Sequence, residues 1–136
     1  MGSSRSHHRA YCDAAEWVTH EAGPFVVPAH SERFFCYSFT LAEDIAVDEI
    51  VLESRPVVHH VVYSLTTAPD PEGFFECDVL FKNNWVPVFV ADTGDASLAM
   101  PEDSGHVLKA GTQLTMQLHL LNTSLEDVTE TVPIHL

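Results

Sequence analysis

The sequence predicts an all-β fold, a sandwich or barrel of short strands, on three observations. Runs rich in aromatic and β-branched residues recur along the chain, clusters of turn-forming residues separate them, and only one short segment reads as a helix. In order, Ala14 to Glu21 fits two turns of helix. Strand-like runs follow at 34–41 (Phe-Phe-Cys-Tyr-Ser-Phe-Thr-Leu), 45–53 and 57–66 (Val-Val-His-His-Val-Val-Tyr-Ser-Leu-Thr), then at 85–91, 113–122 and 131–136. The punctuation between them is Pro56, Pro69-Asp70-Pro71-Glu72-Gly73, Thr93-Gly94-Asp95 and Lys109-Ala110-Gly111-Thr112. The stretch from about Thr67 to Asn84 reads as one long loop carrying Cys77. Loops of that length are functional or tied down.

The chain has 136 residues, enough for one domain with a substantial core. The sequence shows no internal repeat and no low-complexity tract. Its composition, 46% hydrophobic and 19% charged, is too apolar for a disordered chain. It contains no run of about 18 apolar residues that would span a bilayer. Asp and Glu total 20 against 6 Lys and Arg, so the net charge is −14. That field repels phosphate backbones and argues against nucleic acid as a partner, while it concentrates cations. The opening Met1 to Ser6, with His7 and His8, reads as a tag remnant or a frayed terminus and stays out of the site argument. Residues 1–22 are therefore expected to form an extension ahead of a domain at 23–136.

Three cysteines, Cys12, Cys36 and Cys77, form no C-x-x-C pair, which removes zinc knuckles and thioredoxin-type motifs. Two arrangements stay open: one disulfide with a leftover thiol, or three buried thiols in a cytosolic protein.

Histidine is unusually abundant, nine residues against six Lys and Arg. His59-His60 lies within Val57-Val58 and Val61-Val62, a strand context. Adjacent side chains of a regular strand point to opposite faces, so this pair shares one ion only where the strand is twisted, bulged or at an edge. The plainer alternative is one buried histidine and one exposed. His119 follows Gln117 on one face of a strand whose other face carries Met116, Leu118 and Leu120, and such a polar pair often faces solvent. Together the three imidazoles suit copper, zinc, iron or nickel and leave a coordination position open, with intrinsic affinity favouring Cu(II) over Zn(II). His106 is a reserve ligand, and His20, His30 and His135 read as surface or supporting residues. The motifs G-x-S-x-G, H-E-x-x-H, the P-loop and G-x-G-x-x-G are missing. Asn122-Thr123-Ser124 matches the N-glycosylation sequon.

Four stretches in order carry a resemblance: Phe34 to Phe39, Val58-His59-His60-Val61-Val62, Phe74-Phe75-Glu76-Cys77-Asp78 and Gln117-Leu118-His119. They resemble the N-terminal domain of the copper type II, ascorbate-dependent monooxygenases, the family of peptidylglycine α-hydroxylating and dopamine β-monooxygenases. Trp85 to Pro101 and Val132 to Leu136 are similar to further parts of that domain. The resemblance implies a single jelly-roll-like antiparallel β-sandwich. It also implies a copper ion held by His59, His60 and His119, with Gln117 beside it and a Cys36–Cys77 disulfide. An oxidising location follows: secreted, periplasmic or in the secretory-pathway lumen. The family's second copper site, a His-x-His pair with a methionine, has no counterpart here, because no His-x-His occurs in the sequence. Cys12 has no assigned partner.

Three functions follow as expectations. The first is a redox-active copper domain, half of a monooxygenase, served by a reductant such as ascorbate and a second catalytic domain, and unable to hydroxylate alone. The second is a copper carrier or storage module without turnover. The third, a zinc hydrolase, requires a carboxylate base, and none stands out by spacing.

Overall fold

The structure is a computed structural model and describes residues 16–77 and 81–136. Among these residues it is all β, with no helix and with antiparallel pairing throughout. Eleven strands follow in chain order: β1 (Thr19–Val27), β2 (Ser31–Thr40), β3 (Ile45–Val47), β4 (Glu49–Leu52), β5 (Val58–Thr66) and β6 (Gly73–Glu76), then β7 (Trp85–Ala91), β8 (Ala96–Ala99), β9 (His106–Leu108), β10 (Gln113–Asn122) and β11 (Val128–His135). One sheet has the order β1-β11-β4-β8, the other β6-β2-β10-β5-β7, and β3 pairs with β9 at the side. The chain crosses repeatedly between the two larger sheets, as in the jelly-roll-like sandwich that the resemblance implies.

Alternation along the strands builds the core. On β10, Leu114, Met116, Leu118 and Leu120 point inward and are essentially fully buried. They meet Val61 and Tyr63 of β5, Phe35 of β2, and Val27, Leu52, Val132 and Ile134 of the facing sheet. Between the sheets, His20 accepts or shares a hydrogen bond with the Tyr63 hydroxyl at 3.1 Å and lies against Phe39. Burial pulls the His20 imidazole down to about 4 and pushes the Tyr63 phenol upward, so both stay neutral.

Two expectations are corrected here. The helix read at 14–21 does not form where the structure describes it, because Thr19 to Glu21 open β1 and pair with β11 through His135 to Pro133. The closing strand offers a full hydrogen-bonding partner, and that outweighs local helical preference. β1 runs from Thr19 to Val27 and so spans both sides of residue 23. The run 45–53 is two strands rather than one, with β3 and β4 parting at Asp48 into different sheets.

The Thr67–Asn84 stretch is a tethered excursion that contains β6, a short edge strand on β2. Its base is closed by the Thr67 amide donating to the Asn84 carbonyl at 2.7 Å. Asp70 organises it from within. Burial alone would raise this carboxyl, but hydrogen bonds from Lys82, Trp85 Nε1 (2.6 Å) and Asn84 Nδ2 (3.2 Å) outweigh burial and hold it below the usual range. Gln113 then clamps the Asp70 backbone, accepting from its amide and donating to its carbonyl.

Cys36 and Cys77 form a disulfide, with an S–S distance of 2.07 Å. This bond fits an oxidising, extracellular setting. No helix among the described residues is long and apolar enough to cross a membrane. Cys12, His7 and His8 lie outside the described residues.

Candidate metal centre

The outer face of the five-stranded sheet, turned away from the core, carries the site. On β10 this face shows Gln113, Thr115, Gln117 and His119; on β2 it shows Phe34, Cys36 and Ser38. Solvent does not reach most of it. Ser38 and Thr115 share a buried hydrogen bond of 2.6 Å, and Cys36, Cys77 and Trp85 form a small second core flanked by Phe34 and Phe75. Gln117, which the resemblance places beside the metal, is fully buried and donates to Cys77 Sγ at 3.8 Å. It packs against the disulfide, two residues along the strand from His119.

A β-bulge resolves how neighbouring histidines reach one face. His119 pairs with His60, yet the next residue, Leu120, pairs with Val58, so His59 is an extra residue in β5. Across a bulge the alternation of faces is interrupted. Val58 and Val61 therefore both point into the core, and His59 and His60 both turn to the outer face.

The three rings converge. His60 Nδ1 lies 3.1 Å from His119 Nδ1 and 3.5 Å from His59 Nδ1, and one ligand atom from each histidine falls within 4.8 Å of the others. With imidazole–metal bonds of about 2.0–2.1 Å, separations of 3.1 and 3.5 Å correspond to N–metal–N angles of roughly 100–120°. These two separations suit adjacent ligands of a trigonal or tetrahedral ion. Burial, then the neighbouring His119 and His59 imidazoles, hold the His60 imidazole below its ordinary value, with Asp92 opposing them. His60 is consequently neutral at pH 7, the form that binds metals. Its Nε2 is buried and has no hydrogen-bond partner in the structure, so Nδ1 is the nitrogen aimed at the other two rings.

Two residues of β2 that the sequence reading did not single out as site residues hold His119. Phe34 pairs with His119 across the strands and stacks on it, the rings 4.3 Å apart and 1° from parallel. Glu32, two residues earlier on the same face, binds His119 Nε2 through a carboxylate oxygen. Neither contact is visible as a motif, because both come from cross-strand register rather than from spacing in the chain.

The other histidines lie elsewhere. His106, the reserve ligand, is on β9 and lines an apolar cavity of about 300 Å³ with Ile50, Tyr63, Val88 and Leu108. His135 pairs with Glu53 and Thr19, and His30 occupies the turn before β2. Among the described residues, His59, His60 and His119 are the group able to hold a metal ion. The Asn122 side chain is buried and donates to the Val27 and Glu126 carbonyls, which makes it a clamp on the β10–β11 turn rather than a glycan acceptor. No family model, curated protein or solved structure matches the chain.

Proposed function

We propose that this domain binds one copper ion through His59, His60 and His119 and works as a one-electron redox site. The observation that carries the reading is the bulge at His59, which gathers three imidazoles on one face of the sheet. Three imidazoles match copper better than zinc on intrinsic affinity, and they accommodate both copper oxidation states. Bound copper supplies the capacity to accept an electron from a reductant such as ascorbate and to pass it on.

The protein's own residues do the rest. His60 enters the site unprotonated, Phe34 restricts rotation of the His119 ring, and the disulfide and Asp70 network brace the sheet face behind them. His59 is exposed, which leaves the centre open to a reductant or to a partner domain. The zinc-hydrolase reading is disfavoured by Glu32: the carboxylate that reaches the three histidines is engaged by His119 Nε2 rather than available as a base. A secreted, periplasmic or secretory-lumen location agrees with the disulfide.

The test is Cu(II) EPR on the loaded protein, followed by ascorbate with glycine-extended peptides or phenethylamines present. The expected result is bleaching of the Cu(II) signal with no hydroxylated product. A signal that ascorbate leaves intact would overturn the redox reading in favour of a carrier. Product formed in step with oxygen consumption would overturn the donor-only role.

A further inference from the structure

We infer that Glu32 is a positioning residue that sets the tautomer of His119 and tunes the charge of the metal centre; this rests on the metal reading above. The contact has the geometry of a carboxylate–histidine–metal relay, in which the far ring nitrogen of a ligand donates to a carboxylate. His119 turns Nδ1 toward His60 and Nε2 toward Glu32 Oε1. With the proton fixed on Nε2 by the carboxylate, the Nδ1 lone pair is left pointing into the centre.

The arrangement is built into the sheet. Glu32 and Phe34 stand at i and i+2 on β2, hence on one face, and β2 pairs with β10 in unbroken register from Ser31 to Thr40. Phe34 therefore covers the face of the His119 ring while Glu32 takes its edge. An exposed ion pair is worth little by itself, and the Glu32 side chain is 57% exposed. The His119 side chain is only 12% exposed, however, and its ring is held against Phe34, so the bond acts on a group already immobilised. The carboxylate also adds one negative charge next to the imidazoles. That charge stabilises the more highly charged Cu(II) over Cu(I) and so lowers the reduction potential.

The experiment compares the wild-type chain with Glu32→Gln, Glu32→Ala and the control Glu76→Gln. Glu76 lines the same surface hollow as Glu32 without bonding to His119. Two readouts are taken: the His119 tautomer by ¹⁵N NMR of the metal-free protein, and Cu(II) affinity with the reduction potential of the loaded protein. In Glu32→Ala the Nε2–H tautomer should lose its dominance. Cu(II) affinity should fall about tenfold to a hundredfold and the potential should move positive. Glu32→Gln keeps an acceptor oxygen, so it should retain the tautomer and much of the affinity while still raising the potential. Glu76→Gln should change neither readout.

An unchanged tautomer, affinity and potential in both Glu32 variants would overturn the inference while leaving the metal site standing. A tautomer shift in Glu32→Ala, combined with copper affinity indifferent to His119→Ala, would uphold the positioning of His119 and sink the metal reading instead.

Discussion

Copper affinity is expected to fall by about 10²–10⁴-fold in His119→Ala, equivalent to roughly 3–5 kcal/mol from a site whose three ligands share the binding free energy. His119 can be removed without opening the main core. Its ring lies on the outer face of the sheet, and the core beneath β10 is filled by Met116, Leu118 and Leu120 without it. Melting should therefore shift little while binding collapses. His60→Ala should cost as much, since His60 Nδ1 stands between the other two donors at 3.1 and 3.5 Å. His106→Ala is the control and should bind as the wild type does, because His106 sits on β9 beside the apolar cavity. Competition titration against a chelator of known copper affinity measures all three. Undiminished binding in His119→Ala would remove the site from this face.

The second large effect is on stability. Replacing both Cys36 and Cys77 with serine should destabilise the domain by about 4 kcal/mol, the chain-entropy value for a cross-link spanning 41 residues. For a domain of this size that is a fall in Tm of roughly 10–20 °C. Cys36 is wholly buried and the disulfide sits among Trp85, Phe34 and Phe75, so serine also leaves polar hydroxyls in an apolar cluster. The Asp70 hydrogen bonds still hold the base of the excursion, which confines the loss to the surroundings of the disulfide. Copper affinity should change far less than in the histidine variants, since the ligands come from β5 and β10. Thermal unfolding of the double variant measures the effect, and a change in Tm below a few degrees would contradict it.

Much of the fold can be read from the chain, and the reasons for the gaps are physical. The runs at 85–91 and 113–122 are strands with those bounds, because alternation and flanking turns agree there. β1 was hidden because its partner, β11, lies at the other end of the sequence and no local pattern announces the pairing. β8 and β9 are too short to show periodicity, and β6 exists by virtue of its hydrogen bonds to β2. The split at Asp48 is invisible for a similar reason, as both halves have strand composition and only tertiary pairing parts them.

The site shows the same division. His59, His60 and His119 stand out by residue type, and the condition for their sharing an ion, a break in alternation at His59-His60, follows from strand geometry. That the break occurs is a matter of register against β10, since the bulge falls among valines and histidines with no glycine to mark it. The pairing of Cys36 with Cys77 came from a resemblance, and the structure places the two sulfurs in bonding contact. Glu32 and Phe34 could be named only once β2 was laid beside β10.

Coordination of one copper ion by three imidazoles is checked by X-ray absorption at the copper edge of the fully loaded, ascorbate-reduced protein. Three nitrogen scatterers at about 2.0 Å are expected, with the outer-shell pattern of imidazole rings and no sulfur. A sulfur shell, or fewer than three imidazoles with oxygen neighbours in their place, would contradict it.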